Sequence, residues 1–306
     1  MNMTIFQPGL VHTPVTPFKR DYSIDFDTFG KLIEFHLRHG AQALALPMHV
    51  GESVSLGDGE QRALLEFAVS QTRGRAPVIA HVSDSGTGIA VARARHAQDV
   101  GAAAIVATTP YYWTPPPAMV LEHFAQIGSS VRIPFFVFYT PEEMGGTKLT
   151  TDLVLKLIDR LDNFAGVVDA SLDWQFMVNI ASSAQRVRPQ FQVLSGSEYM
   201  VSAGTLGATS MFSSLAGVAP TLVRGLFELC RKELYFEARQ SQEEVAALRQ
   251  VVKKAGLAGL KAAMRALGRD CGALRPPNAA LSEIEYAELA AEVGALAALR
   301  AEPRSW

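Results

Sequence analysis

Cysteine is scarce. Only Cys230 and Cys271 occur in 306 residues, far apart and in no metal-ligand spacing. That excludes a disulfide scaffold and fits free thiols in a reduced compartment. No apolar run nears the roughly 20 residues that a membrane-spanning helix needs. The opening MNMTIFQPGL has no basic region followed by an apolar run, so no signal peptide is expected. Charge of one sign is nowhere concentrated and the formal net charge is −2, which argues against nucleic acid or a membrane surface as partner. The expected location is cytoplasmic. Low-complexity segments are missing, and so is any internal repeat longer than a strand–helix unit. The segment after the first apolar stretch, TPFKRDYS, is not a Gly-rich phosphate turn, which weighs against a doubly wound dinucleotide-binding sheet.

What is present is alternation. Hydrophobic residues make up 48% of the chain, enough for one large core. Apolar, β-branched runs predict strands over residues 11–18, 41–48, 77–82, 102–110, 134–140, 164–170, 191–196 and 207–214. Amphipathic helical patterns lie between them. Over residues 25–39, Phe26, Phe29, Leu32, Ile33, His36 and Leu37 share one stripe, and Gly40 suits the C-terminal cap. Strand starts recur about every 30 residues, the rhythm of right-handed βαβ units. Eight such units with continuously apolar strands predict an α/β fold, a closed (β/α)8 barrel. Beyond Pro220 only helices are expected, over 220–235, 236–254, 257–267 and 282–299. We read residues 1–235 as the barrel and 236–306 as a C-terminal helical extension of the same domain.

VTPF at 15–18, VGES at 50–53, TPYY at 109–112, LSG at 194–196, GAT and GVAP at 207–209 and 217–220, and KAAMRALGRDCGALRPP at 261–277 stand in one order along the chain. In this order and spacing the sequence resembles the dihydrodipicolinate synthase / N-acetylneuraminate lyase family of class I aldolases. The resemblance implies a (β/α)8 barrel with a helical extension, a lyase acting on a small oxo-acid, and a homo-oligomer, dimer or tetramer. No cofactor and no resident metal are expected.

The same resemblance exposes departures. The family's Schiff-base lysine, on the sixth strand, falls on Val168, and an isopropyl group cannot form an imine. The central tyrosine of the family's proton relay falls on Phe138; a one-residue bulge would bring Tyr139 inward instead. The hydroxyl pair that binds the pyruvate carboxylate is replaced by His49 and Val50, followed by the retained Gly51 and Glu52. His81 stands where the family commonly has glycine, either as a titrating group or as a hydrogen-bonded structural histidine. Tyr112 falls on the tyrosine that reaches into a neighbouring subunit, as relay member or aromatic plug. The carboxylate-gripping arginine falls near Glu143. Gly196 and Phe212 fall on ligand-contacting places. Of eight lysines, only Lys19 and Lys148 lie in loops at the catalytic end, and alternation turns Asp169 toward the helices.

The candidate site is therefore Tyr112, His49 and His81 for catalysis, with Val50, Gly51, Glu52, Phe138, Val168, Gly196 and Phe212 around the ligand. Three readings stay open. One is a lyase-family protein that binds a small oxo-acid-like ligand without Schiff-base aldol chemistry. The second is a His-based hydratase, dehydratase or decarboxylase. In its metal-assisted form His12, His49 and His81 converge on the barrel mouth with Glu52 or Asp84. The third is a non-catalytic ligand-binding or scaffold barrel.

Overall fold

A computed structural model describes residues 6–141 and 145–306. Eight parallel strands close into a barrel in sequence order: β1 (Leu10–His12), β2 (Ala43–Leu46), β3 (Val78–His81), β4 (Ala104–Thr108), β5 (Phe135–Tyr139), β6 (Phe164–Asp169), β7 (Gln192–Ser195) and β8 (Met211–Ser213). Each strand is shorter than its predicted run and seven lie within theirs; β1 starts one residue earlier than predicted, at Leu10. The largest trimming is at β1, where Pro14 and Pro17 lack the N–H needed for a ladder.

The outer ring consists of α1 (Phe26–Arg38), α2 (Asp58–Thr72), α3 (Thr87–Asp99), α4 (Pro117–Ser129), α5 (Thr151–Arg160), α6 (Trp174–Val187), α7 (Met200–Thr205) and α8 (Pro220–Arg231). The short α7 has no predicted counterpart. Its six residues fill the brief β7–β8 interval. Asp25 caps α1 by accepting from the Thr28 amide at 3.1 Å, and Gly40 follows in the left-handed region at φ 94°. The extension is α9 (Ala238–Lys253), α10 (Gly256–Ala266) and α11 (Glu283–Ala295). No helix among the described residues is long and apolar enough to cross a membrane.

Strand alternation sorts the core into two layers. Val11, Ala43, Ala45, Ile79, Ala104, Val106, Phe136, Phe138, Val168, Leu194 and Phe212 fill the lumen. The other strand faces join the helices in a larger outer core. Small residues on β2 and β4 face large ones on β5 and β8, so the interior is packed rather than hollow. The ladder slips once, where Phe135 pairs with Phe164 but Phe136 pairs with Gly166. The extra residue is therefore on β6, below the mouth. Gly166 is required there, because a Cβ would come within 2.3 Å of the Gln192 carbonyl oxygen.

Candidate active site at the barrel mouth

A cavity of about 120 Å³ opens at the C-terminal ends of the strands. Met48, His49 and Val50 form one wall, after β2. Phe138, Ala170 and Phe212 form the apolar floor. Gly196, Glu198, Ser214 and Thr13 line it from the ends of β7, β8 and β1, and Arg249 reaches in from α9. This is the end at which βα barrels carry their sites.

Val168 is fully buried in the lumen, beside Phe138 on one side and Leu194 on the other. The Phe138 ring lies 6.3 Å from that of Phe212. Tyr139 faces outward and stacks on Phe176 of α6 at 4.8 Å. The bulge thus leaves Phe138, not Tyr139, at the cavity. Asp169 also points outward; burial raises its carboxyl pKa, and its Oδ1 accepts from the Ser171 amide at 3.0 Å. Among the described residues no lysine lines the cavity, and Lys19 and Lys148 are exposed elsewhere. Glu143 lies outside the described residues.

The three histidines do not converge. His12 follows Val11 on β1 and so turns outward, where its Nδ1 meets Nδ1 of His36 on α1 at 3.0 Å. This corrects its expected place at the mouth. Burial lowers its pKa to about 3. His81 does line the cavity, but its nitrogens are engaged. Nε2 lies 2.7 Å from the Ser83 hydroxyl, the Pro47 backbone is a further hydrogen-bond partner, and burial lowers the ring's pKa to about 4. The Ser83 oxygen in turn accepts from the Thr108 amide at 2.8 Å. The Ser83 O–H therefore donates to a neutral ring, which ties β3 to β4. His49 alone presents an exposed imidazole. Among the described residues no cluster of three metal-ligating side chains forms.

Glu52, Gly51, Tyr112 and Val168 are expected around the ligand but do not line the cavity, Val168 lying deeper in the lumen. Glu52 is buried and faces away from the cavity: Oε1 accepts from Lys261 Nζ at 2.9 Å, and Oε2 from the Arg275 amide at 2.9 Å. Lys261 also donates to the Thr16 and Ala273 carbonyls at 2.8 and 2.7 Å. Burial lowers its pKa, yet this amine fastens the extension to the β2 turn rather than serving the mouth. Gly51 lies in that turn, its carbonyl accepting from the Thr16 hydroxyl at 2.6 Å. Gly196 does border the cavity, but its missing side chain serves β6: a Cβ would stand 2.7 Å from the Ala170 Cβ and 2.9 Å from the Ala170 amide nitrogen. Tyr112 is 100% exposed at φ 81° and does not line this cavity.

Sequence reading missed Glu198 and Arg249. Glu198 is 1% exposed; its Oε1 accepts from the Ser213 hydroxyl and the Ser214 and Leu215 amides at 2.8, 2.9 and 3.1 Å. Its Oε2 pairs with Arg249 Nη1 at 2.7 Å. A carboxylate just past the end of a barrel strand was a usable signal. Arg249, 51 residues further on, gave none. The cysteines are both free and buried, their thiols pushed up to about 11 and about 12.

Residues 7–296 match the model of the dihydrodipicolinate synthetase family. An uncharacterized DapA-like lyase of Halobacterium salinarum is 31% identical over 293 residues, covering 95% of this chain and 94% of that protein. The 4-hydroxy-tetrahydrodipicolinate synthase of Afipia carboxidovorans is 32% identical over 275 residues, covering 88% and 90%. Among solved structures, the dihydrodipicolinate synthase of Aquifex aeolicus superposes with a TM-score of 0.86 at 28% identity, covering 93% and 96%. The E. coli prophage protein YagE, in complex with pyruvate, gives 0.88 at 25% identity, covering 94% and 98%. With a match that runs nearly end to end and a barrel of the same architecture, the chain belongs to the dihydrodipicolinate synthetase family.

Proposed function

We propose that this chain is a lyase-family barrel that binds a small oxo-acid-like ligand at its mouth and does not hold it as a Schiff base. One observation carries the reading. Val168 occupies the middle of the barrel wall with its side chain fully buried in the lumen, and no amine among the described residues borders the cavity. Without an imine there is no electron sink for aldol cleavage, and positioning alone does not replace it. Phe138 beside Val168 removes the hydroxyl through which a relay would pass.

What the site retains is acid–base capacity. His49 is the open imidazole, and His81 acts by holding the wall rather than by exchanging protons. Tyr112 supports a shared-site assembly. A fully exposed tyrosine held at positive φ is strained and unsatisfied in a lone subunit, which fits an aromatic that completes a second copy's mouth. The corresponding partner arrangement is a homo-oligomer. The exposed His49 also favours a second reading, in which the chain catalyses a metal-free hydration, dehydration or decarboxylation of the same ligand class.

The test is borohydride reduction in the presence of pyruvate, followed by intact-protein mass. The expected mass is unchanged, while pyruvate line broadening in NMR spectra reports binding. A mass gain of one reduced pyruvyl group per chain would overturn the reading.

A further inference from the structure

We infer that Arg249 is the carboxylate-recognising residue of this mouth, so that the ligand's anionic group docks on the β7–β8 wall instead of the β2 wall. The inference rests on the small-oxo-acid reading above and adds to it where, and by what, the acid group is held. Arg249 is the one lysine or arginine among the described residues lining the cavity. It comes from α9 of the extension, not from a barrel loop.

Its geometry is that of a held donor. Nη1 is bound to Glu198 at 2.7 Å, and the guanidinium carbon lies 5.7 Å from the centre of the Tyr199 ring. These two contacts hold the guanidinium, while a quarter of the side chain remains exposed. A guanidinium has five N–H donors in a rigid fork that suits a carboxylate. Glu198 engages the guanidinium through Nη1, while its Oε1 takes three donors from the β8 end, so the pair is not a two-point fork and further N–H groups of Arg249 stay available. The carboxylate is thus a built-in orienting partner that engages one nitrogen of Arg249, with the other donors left for a ligand.

The wall after β2 offers an anion no permanent cation among the described residues. Met48 and Val50 are apolar, His81 is neutral with its nitrogens engaged, and the exposed His49 imidazole is the remaining polar side chain there. Phe138, Phe212 and Ala170 floor the cavity, so a ligand with a carboxylate at one end and a short apolar acyl body at the other matches it. Longer 2-oxo acids with aliphatic tails fit this pattern better than dicarboxylates, for which no second lysine or arginine among the described residues lines the cavity.

The test compares pyruvate and 2-oxobutyrate with the uncharged methyl pyruvate by ligand-observed NMR titration. The proteins are wild type, Arg249→Gln and Arg249→Lys. The wild type is expected to prefer acid over ester by about tenfold or more, the range of a charge-assisted hydrogen-bond pair. Arg249→Gln should reduce that preference to near unity, and Arg249→Lys should retain part of it. Because the acid-to-ester ratio is read within each protein, a general loosening of the fold does not move it. An undiminished ratio in Arg249→Gln overturns the assignment of Arg249 while the oxo-acid reading stands. Failure of the wild type to bind any of the three sinks the oxo-acid reading, and this inference with it.

Discussion

Replacing Lys261 by methionine tests whether the mouth depends on the extension. The Lys261 side chain is 6% exposed, and its ammonium is bonded to Glu52, itself fully buried, and to the Thr16 and Ala273 carbonyls. Lys261→Met leaves a buried carboxylate without its cation and two carbonyls without a donor. Breaking a buried ion pair from one side costs about 3–5 kcal/mol. At the usual unfolding entropy per residue, a chain of 306 residues has roughly 0.64 kcal/mol/K, so the melting temperature should fall by about 5–8 °C. The measurement is differential scanning calorimetry at matched protein concentration. Glu52→Gln should also destabilise, and the double variant should be less damaged than the two losses added together, since the removed groups are each other's partner. A fall under about 2 °C for Lys261→Met, or strict additivity in the cycle, would refute the reasoning. The methionine variant should also bind pyruvate more weakly, because the turn that Glu52 anchors is the one that carries His49 and Val50.

Other perturbations follow from the same geometry. Burial lowers the pKa of His12 to about 3, of His81 and His123 to about 4, and of His36 well below its ordinary value. The folded chain therefore keeps these rings neutral while the unfolded chain protonates them near pH 6.5. Stability is complete above that pH and is lost toward pH 4, at about 1.4 kcal/mol per pH unit for each ring. Urea midpoints at pH 7.5 and 5.0 should differ sharply, and His123→Gln should flatten the profile; a midpoint independent of pH contradicts the sign. Gly196→Ala places a methyl against the Ala170 backbone and should cost about 1–3 kcal/mol by denaturant titration, whereas an unchanged midpoint would show that β6 and β7 part easily there. Val168→Lys should yield no pyruvate aldolase activity, because Phe138 leaves no hydroxyl beside the new amine; measurable condensation by that variant shows the relay argument to be wrong.

Nearly all of the barrel was legible, because a buried parallel strand is a continuous apolar run and helical periodicity separates the runs everywhere but between the seventh and eighth. The strand ends were not, since Pro14 and Pro17 act through missing donors rather than through hydrophobicity. Alternation also carried the lumen: Val168 and Phe138 face inward and Asp169 and Tyr139 outward, as the period of two requires. The same rule, applied to β1, would have turned His12 outward once Val11 was assigned to the lumen. What stayed hidden was long-range. Nothing near Glu52 indicates that its partner is 209 residues away, and nothing in the amphipathic pattern of α9 marks Arg249 as the residue that enters the mouth.

The link between Glu52 and the tenth helix has an evolutionary corollary. Loops at the top of a βα barrel are ordinarily exchangeable parts that a stable wheel of strands tolerates. This one is not free to be exchanged alone. A graft of the β2 turn from a relative brings a new tenant to a socket made by Lys261, Arg275 and Asn278, so the turn and that distant socket must change together. Remodelling of specificity on this scaffold is then a matter of paired substitutions across the chain, and single-loop libraries should be poor in folded members.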